Sequence, residues 1–461
     1  MKKNNIPLNY REKNNSRISF ICSIAVLLIL FLIFYQLDNV LIRRPAQEAE
    51  RVAQQEEEEA QIASETPQVS TASVIAVGDN YYQDQLLQSG QSESGTWNYD
   101  SVYTNVQSEI QAADVAMISQ DSVFTSDHDS VSTYPFAVPT EVGDAIVNAG
   151  FDVVASASDT INDFGADMIT QTLDYWNTSH PDISVLGIHG SQEDADTVNV
   201  IEVNGIRIAL LNYTFGLDNA AAGGQEYMID VFDRDSVSSA IQKAQEESDC
   251  IILFAHWGNE NETTPSEYQK QWATFLMEQG VDVVIGSHPH VLQPYGRMSD
   301  DSGNEMVIFY SLGNFVTGQE TFDTLLEGMA QFTIQKTVQN GETSIQILSP
   351  SITPLVMHYN YDSAEYGPYL LSQYNDEIGT YHSGRNSFPE IFSVENLQTR
   401  FDEIMSTNVT PSTGTDLLSA TFDSDGNMIG GTDTGTDTSS DTGEAVSSED
   451  GSVPEDSSSE G

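Results

Sequence analysis

Short apolar runs alternate with amphipathic helical patterns through the middle of this chain. The strand-like runs are rich in β-branched residues and cover residues 73–77, 113–118, 152–155, 198–203, 206–211, 251–255 and 281–285. The helical patterns cover residues 140–148, 166–176, 235–247 and 265–279. Asn204-Gly205 between two of the runs is a strong hairpin signal. This mixture predicts an α/β sandwich, with strands in two sheets and helices outside.

The pattern weakens towards the C-terminus. Residues 306–310, 330–337 and 343–348 still predict closing strands, and residues 368–378 and 394–405 predict helices. From about residue 410 the chain is rich in Ser, Thr, Gly, Asp and Glu, with almost no large apolar residues. Such a segment buries too little surface to fold, so we expect a disordered acidic tail.

Residues 18–37 form an uncharged run dominated by Ile, Leu, Phe and Val, about the length of a membrane-spanning helix. Basic residues precede this run and favour a cytoplasmic N-terminus, although Arg43, Arg44 and Arg51 follow it. No small-residue cleavage motif closes the run. The sequence therefore predicts an uncleaved signal anchor in the cell membrane, a single pass, with the main domain extracellular.

These patterns divide the chain into six segments. Residues 38–70 are rich in Glu, Gln and Ala, and composition alone does not decide between a helical stalk and a disordered spacer. The predicted order is a cytoplasmic N-terminus (1–17), the transmembrane anchor (18–37), an acidic stalk or linker (38–70), the main α/β domain (71–358), a C-terminal helical extension (359–409) and the acidic tail (410–461).

Charge restricts the function. The chain has 16 Lys and Arg against 70 Asp and Glu, a formal net charge of -54. This balance argues against nucleic-acid binding, which needs a basic face. It also repels other polyanions unless a metal ion supplies positive charge. The two cysteines, Cys22 and Cys250, lie in unrelated settings and predict no disulfide framework.

Candidate chemistry lies at the predicted strand ends. His288 and His290 follow one buried run, separated by Pro289, and His256 ends another. Asp79 follows the first run after a glycine. Because open α/β sheets bind ligands at the carboxyl ends of their strands, this pattern predicts a metal site. Without a metal, the histidines would be hydrogen-bonded core residues and Asp79 would be an ordinary turn residue. The pair His288 and His290 is a more specific signal for metal than His256 or Asp79 alone.

Several motifs resemble the CapA family, the poly-gamma-glutamate capsule synthesis proteins related to calcineurin-like metallophosphoesterases. The resemblance runs from about residue 74 to residue 316, and the order and spacing of the motifs agree. The matching segments are residues 75–79 (IAVGD), 150–154 (GFDVV), 163–165 (DFG), 256–260 (HWGNE), 286–290 (GSHPH) and 310–315 (YSLGNF).

The resemblance implies a metallophosphoesterase-like α/β/β/α sandwich of mixed sheets and a site for a divalent metal. One or two ions of Mn, Fe or Zn would bind there, and His256 and His288 would be catalytic. The implied partners are the membrane, through residues 18–37, and an anionic cell-surface polymer or its synthesis machinery. The implied metal ligands are Asp79, Asp121, Asp159, His256, His288 and His290.

Two family motifs are altered here. Ser119 and Asp121 stand where the family has Asn and Glu. Residues 158–160 read Ser-Asp-Thr where the family has Asn-Asn-His, and the resemblance makes that His a substrate contact or proton donor. Asp121 and Asp159 are carboxylates, side chains of a type that binds cations. The hydroxyl of Thr160 does not titrate near neutral pH and cannot replace an imidazole as general acid.

Two hypotheses follow. The first is a membrane-anchored, extracellular, metal-dependent hydrolase or transferase that acts in synthesis, export or anchoring of an anionic capsule polymer. The alternative is a catalytically silent relative that serves as a surface binding or scaffolding module with a degenerate metal site. A signalling phosphodiesterase is disfavoured, because the predicted anchor orientation places the domain outside the cytosol.

Overall fold

We analysed a computed structural model of the chain. It describes residues 9–133, 136–221, 223–388 and 392–412. The expected acidic tail lies almost wholly outside these residues, as does the start of the expected cytoplasmic N-terminus.

The strands of the described residues include every run that the sequence predicted. The two runs around Asn204-Gly205 form a hairpin, and both turn residues have positive φ, 54° and 78°. In chain order the strands are β1 (Gln68–Tyr81), β2 (Val115–Gln120), β3 (Val123–Thr125), β4 (Ser132–Thr133), β5 (Phe136–Pro139), β6 (Val153–Ala155), β7 (Ser184–Leu186), β8 (Asn199–Val203), β9 (Ile206–Thr214), β10 (Cys250–His256), β11 (Val283–Ser287), β12 (Tyr295–Ser299), β13 (Glu305–Phe309), β14 (Asn314–Thr317), β15 (Leu326–Gln339), β16 (Glu342–Asn360) and β17 (Glu365–Leu370).

The helices fall between the strands as the alternating pattern predicted. The helix Glu267–Gln279 begins with a capping box, in which the side chains of Ser266 and Gln269 each accept a hydrogen bond from the other residue's backbone N–H. The helices are α1 (Asn9–Asp38), α2 (Arg44–Glu65), α3 (Asp84–Ser89), α4 (Gln107–Ala112), α5 (Thr140–Ala149), α6 (Ala166–Ser179), α7 (Gln192–Ala195), α8 (Arg234–Glu247), α9 (Glu267–Gln279), α10 (Asp376–Gly379) and α11 (Val394–Met405).

Two large mixed sheets form the body of the protein. In the first, the strand order is β17-β16-β15-β1-β2-β6-β7, and β14 pairs with the end of β1. In the second, the order is β12-β13-β11-β10-β9-β8. The strands that carry the predicted ligands are parallel to one another within each sheet: β1, β2 and β6 in the first sheet, β10 and β11 in the second. Their carboxyl ends therefore share one edge of each sheet.

Three apolar layers hold the sheets and helices together. Side chains such as Met117 and Phe254 fill the space between the two sheets. Ile146 of α5 packs on the outer face of the first sheet, and Leu276 of α9 packs on the outer face of the second. This order of layers confirms the predicted α/β/β/α sandwich.

The C-terminal segment differs from its prediction in one element. Helix α11 forms at the predicted residues, but residues 365–370 form strand β17 instead of the start of a helix. This strand lies at the edge of the first sheet, where Pro368 is tolerated because one side of an edge strand needs no ladder hydrogen bond. Tyr366 and Leu370 are buried against the sheet, so burial of aromatic and apolar side chains outweighs the weak helical pattern.

The N-terminal part of the chain is helical. Within the described residues one helix, close to the N-terminus, is long and apolar enough to cross a membrane. Its large apolar side chains from Ile18 to Ile42 are exposed. An exposed apolar surface of this extent is unfavourable in water and suits a lipid environment. Helix α2 covers most of the predicted stalk, which agrees with the helical alternative for that segment.

Residues 310–314 carry the chain from β13 in the second sheet to β14 in the first, and we call them the crosspiece. The Leu312 N–H donates to the Gly286 carbonyl at 3.1 Å, and the Asp79 N–H donates to the Gly313 carbonyl at 3.1 Å. A Cβ at Gly78 would collide with the Gly313 carbonyl, and one at Gly286 with the Tyr310 carbonyl. The glycines before Asp79 and Ser287 are therefore needed for this backbone packing.

We predict that Gly286→Ala lowers the free energy of unfolding by about 3 kcal/mol, because the new methyl group overlaps rigid backbone. Gly223→Ala is the control, since nothing lies within 4 Å of a Cβ there. Denaturant unfolding followed by circular dichroism measures both. Equal losses for the two variants would contradict the assigned role of the crosspiece.

Two buried histidines connect β16 to the C-terminal segment. Nδ1 of His358 lies 2.9 Å from the Tyr374 hydroxyl. Nδ1 of His382 accepts from the Gly384 N–H at 3.0 Å, so its Nε2 donates to the Met357 carbonyl, also at 3.0 Å. Burial lowers the pKa of each histidine to about 4. Both imidazoles are therefore neutral in the folded protein at neutral pH.

We predict that acid weakens the fold between pH 6.5 and 4. In this window the unfolded chain holds protons on His358 and His382 that the folded protein does not, so the free energy of unfolding falls as pH falls. Each histidine contributes on the order of 3 kcal/mol across the window. Urea titrations at pH 7, 6, 5 and 4.5 measure the slope. His358→Gln should reduce the slope near pH 5 by about one proton, and an unchanged slope would refute the assignment.

Candidate metal centre

The structure brings all six predicted ligands to one place, at the carboxyl ends of the parallel strands. Every one of them is buried, with at most 8% of its surface exposed. Three come from the first sheet and three from the second, so the site spans the join between the sheets. The residues are Asp79 near the end of β1, Asp121 just after β2, Asp159 in the loop after β6, His256 at the end of β10, and His288 and His290 after β11.

The ligands fall into two groups of three, which we call the histidine-rich group and the carboxylate-rich group. The histidine-rich group is Asp159, His256 and His288, and the carboxylate-rich group is Asp79, Asp121 and His290. Within each group, the candidate ligand atoms all lie within 4.8 Å of one another. Three oxygen or nitrogen ligands leave further coordination positions open, as catalytic metal sites require.

Short contacts join the members of the histidine-rich group. Nε2 of His256 lies 3.0 Å from Oδ1 of Asp159. Nδ1 of His288 lies 3.6 Å from the other carboxylate oxygen, Oδ2 of Asp159. One aspartate therefore faces both imidazoles.

The carboxylate-rich group is tied to the same turn. Nδ1 of His290 lies 3.4 Å from Oδ2 of Asp79. That oxygen also accepts the backbone N–H of His288 at 3.0 Å. Nδ1 of His256 lies 3.7 Å from Oδ1 of Asp121, so the two groups are adjacent.

Buried atoms without hydrogen bonds show that the residues fit a cation. Oδ1 of Asp79, Oδ1 of Asp121 and Nε2 of His288 are buried and make no hydrogen bond. Leaving such atoms unpaired is costly unless a partner compensates. Carboxylate oxygens with imidazole nitrogens are a ligand set that suits Mn, Fe or Zn. The buried His and Asp groups are therefore compatible with divalent metal binding.

The charges of the metal-free site are arranged in opposed pairs. Burial lowers the pKa of His256, but the charge of Asp121 and the hydrogen bond to Asp159 outweigh burial and raise this pKa to about 9. Burial likewise lowers the pKa of His290, and Asp79 raises it to about 9.

Two of the other candidate ligands, His288 and Asp121, are uncharged or largely uncharged at neutral pH. Burial lowers the pKa of His288 to about 3, so its imidazole is neutral. Burial and the charge of Asp79 raise the pKa of Asp121 to about 8. Protons on His256 and His290 thus supply the positive charge that a metal would supply, and metal binding should release protons.

The turn after β11 holds its histidines in an unusual backbone conformation. His288 has φ of 91° and His290 has φ of 57°, a region that residues other than glycine rarely adopt. Such conformations persist only where surrounding structure enforces them, and they concentrate at functional sites. Here the Asn261 N–H donates to the Pro289 carbonyl at 2.9 Å, and Asn314 holds His290 from the other side.

Three polar side chains orient the imidazoles. The Ser287 hydroxyl lies 3.1 Å from Nδ1 of His256, and Ser119 donates to that hydroxyl at 3.3 Å. Oδ1 of Asn314 lies 3.0 Å from Nδ1 of His290. Partners of this kind fix the tautomer and the ring orientation of metal-binding histidines. Ser119, in an altered family motif, therefore has a structural role.

Sequence reasoning missed the aromatic walls and a buried network beside the site. The Tyr81 ring stacks on His290 with centroids 4.8 Å apart, and the Phe215 ring lies 4.5 Å from that of His288. Nδ2 of Asn80 donates to Oε1 of Gln120 at 2.7 Å, which joins the strand ends that carry Asp79 and Asp121. The position of Phe215 directly after β9 was the available signal, because β9 ends at the same edge.

The altered loop after β6 no longer presents an imidazole. The Thr160 hydroxyl donates to the Asp121 carbonyl at 2.8 Å and lies 3.3 Å from the Ser158 hydroxyl. Thr160 thus braces the backbone of a predicted ligand. Asp159, where the family has Asn, keeps its side chain among the ligands.

An α/β/β/α sandwich with aspartates and histidines at its central strand ends is the arrangement of the metallophosphoesterase-like proteins. Within this class the family model "Bacterial capsule synthesis protein PGA_cap" matches residues 73–319, just over half of the 461-residue chain. The chain belongs to this family, which confirms the resemblance drawn from its motifs.

Two curated relatives match over the same share of the chain. The capsule biosynthesis protein CapA of Bacillus anthracis is 28% identical over 213 residues, covering 45% of this chain and 49% of the relative. The PGA biosynthesis protein CapA of Bacillus subtilis (strain 168) is 31% identical over 211 residues, covering 45% and 51%. The chain thus aligns with about half the length of these relatives.

Solved structures with similar folds include nucleotidases. A putative 5'-nucleotidase from Staphylococcus aureus has a TM-score of 0.38 at 12% identity, covering 62% of this chain and 54% of that one. The 5'-nucleotidase of Candida albicans has a TM-score of 0.36 at 10% identity, covering 72% and 57%.

We predict that Ser287→Ala weakens metal binding about tenfold, because His256 loses the hydroxyl that orients its ring. Ser156→Ala is a matched control, since Ser156 is also buried but its hydroxyl makes no hydrogen bond. Calorimetric titration of both variants with Mn²⁺ gives the dissociation constants. Equal affinities for the two variants would show that Ser287 does not orient a ligand.

Proposed function

We propose that this protein is a membrane-anchored, outward-facing enzyme that acts in synthesis, export or anchoring of an anionic capsule polymer such as poly-gamma-glutamate. Its reaction would be a metal-dependent hydrolysis or group transfer. The observation that carries the proposal is the convergence of six buried carboxylate and imidazole ligands at one edge of the sandwich. Membership of the capsule synthesis family supports the biological setting.

Each ligand group would hold one divalent ion. The histidine-rich group and the carboxylate-rich group both offer mixed oxygen and nitrogen donors. A bound divalent cation polarises a carbonyl or phosphoryl oxygen and lowers the pKa of coordinated water. His256 and His288 are the catalytic candidates, because both lie beside the Phe215 ring and His256 also faces Asp121 of the carboxylate-rich group.

Anchoring rests on the N-terminal helix and its charges. The helix has the length and composition to cross a membrane. Lys2, Lys3, Arg11, Lys13 and Arg17 precede its apolar run of residues 18–37, which favours a cytoplasmic N-terminus and an extracellular main domain. An extracellular position suits a role in a cell-surface polymer.

A catalytically silent scaffold is the second candidate, and Thr160 favours it. The family's imidazole is replaced by a hydroxyl that is already bonded to the Asp121 carbonyl. A general acid contributes about a hundredfold or more to such reactions, so its loss would slow catalysis severely. The two candidates differ in whether a loaded site turns over substrate.

We predict stoichiometric Mn, Fe or Zn in the full-length protein purified without chelator. His256→Ala and His290→Ala should each lower metal content by at least half, because each removes one of three ligands from its group. His189→Ala is the control, since His189 pairs with Asp230 at 3.0 Å outside the site. Elemental analysis measures the metal, and hydrolysis of bis(p-nitrophenyl) phosphate before and after EDTA measures activity.

The outcomes separate the candidates. Activity that EDTA abolishes and Mn²⁺ restores supports the enzyme. Bound metal without hydrolysis of a phosphodiester or a glutamyl peptide favours the scaffold. Wild-type protein without metal, or an equal loss of metal in His189→Ala, would refute the proposed site.

A further inference from the structure

Three carboxylates lie on loops at the edge of the candidate site, and we call Asp163, Asp218 and Glu260 the acidic rim. Asp163 follows β6 and Glu260 follows β10, so each shares a loop with a candidate ligand, whereas Asp218 lies on the loop after β9. The Asp218 N–H donates to the Asp159 carbonyl at 2.9 Å. Oδ1 of Asp163 accepts from Nδ2 of Asn219, the next residue along from Asp218, at 2.8 Å. Hydrogen bonds thus hold the first two rim residues beside a metal-ligand loop.

The third member of the rim belongs to the histidine loops. Glu260 lies four residues after His256, and the neighbouring Asn261 N–H donates to the Pro289 carbonyl at 2.9 Å. Partial burial raises the pKa of Glu260, and the charges of His290 and Asp159 also act on it. Asp218 and Glu260 are exposed and Asp163 is half-buried, so the rim faces solvent beside the candidate ligands.

No compensating cation lies at the site among the described residues. The sequence has no Lys or Arg between Arg51 and Arg207, the stretch that contains all three aspartate ligands. Lys336 binds Asp249, and Lys243 binds the Asp196 carbonyl. Arg400 reaches Thr263 on the loop after β10, but its charge is paired with Asp323. The metal ions would therefore be the main positive charge that a substrate anion meets.

The carboxylates at the site outnumber the positive charges that two divalent ions would bring. Three aspartate ligands offset most of the charge of two divalent ions, and one of them, Asp159, replaces a neutral Asn of the family pattern. With the acidic rim added, the loaded site carries a net negative charge. Like charge repels an approaching polyanion, and the repulsion weakens as salt rises because Asp218 and Glu260 are exposed.

We propose that this site takes a substrate group that is uncharged or cationic, and that it excludes polyanionic chain. The inference rests on the proposed metal site. It implies that an anionic capsule polymer would bind in the site through an uncharged linkage or through an amine-bearing acceptor group. The charged repeat of the polymer would stay outside the site.

The test compares an anionic and a neutral probe on full-length, manganese-loaded protein in detergent. The probes are inorganic phosphate and imidazole, with dissociation constants from calorimetry. The variant combines Asp163→Asn, Asp218→Asn and Glu260→Gln. The control combines Asp174→Asn, Asp182→Asn and Glu278→Gln, which are exposed acids outside the loops that form the site. We expect the rim variant to bind phosphate about tenfold more tightly, and imidazole with less than a threefold change.

The control should bind both probes like the wild type. Equal phosphate affinity in the wild type and the rim variant, with manganese bound in both, would overturn this inference alone. Absence of manganese from the wild type would instead overturn the proposed metal site, and this inference with it. Equal tightening of phosphate in the control would show a general charge effect and also refute the role of the rim.

Discussion

The site depends on the way the crosspiece joins the two sheets. Residues 310–314 pass between them so closely that neither Gly78 nor Gly286 has room for a Cβ. This contact brings Asp79 of one sheet within hydrogen-bond reach of the His288 backbone of the other. Asn314, at the end of the crosspiece, then holds His290. One tight backbone passage thus aligns ligands that lie more than 200 residues apart in sequence.

Electrostatics explains why so many ionisable groups tolerate burial together. Each imidazolium faces a carboxylate, so the charges compensate in a site that excludes water. His288 stays neutral and Oδ1 of Asp79 stays unbonded, which leaves donor atoms ready for a cation. Exchange of protons for metal would preserve much of this compensation.

The altered motifs change the chemistry more than the architecture. Ser119 supports His256 through Ser287, and Thr160 supports the backbone of Asp121. The substitutions are therefore accommodated within the fold, while an imidazole is lost and a carboxylate is gained at residue 159. The family fold thus carries a candidate site with one more carboxylate and without the imidazole of the full motif.

The sequence alone determined the layers and indicated the candidate ligands, because β-branched runs, amphipathic helices and strand-end histidines are local signals. The hairpin at Asn204-Gly205 and helix α11 formed at their predicted residues. Only the tertiary structure decided that Pro368 lies in an edge strand, that Ser287 and Asn314 orient the imidazoles, and that the ligands divide into two groups. These features arise from contacts between distant segments, and no local pattern records which strand ends meet.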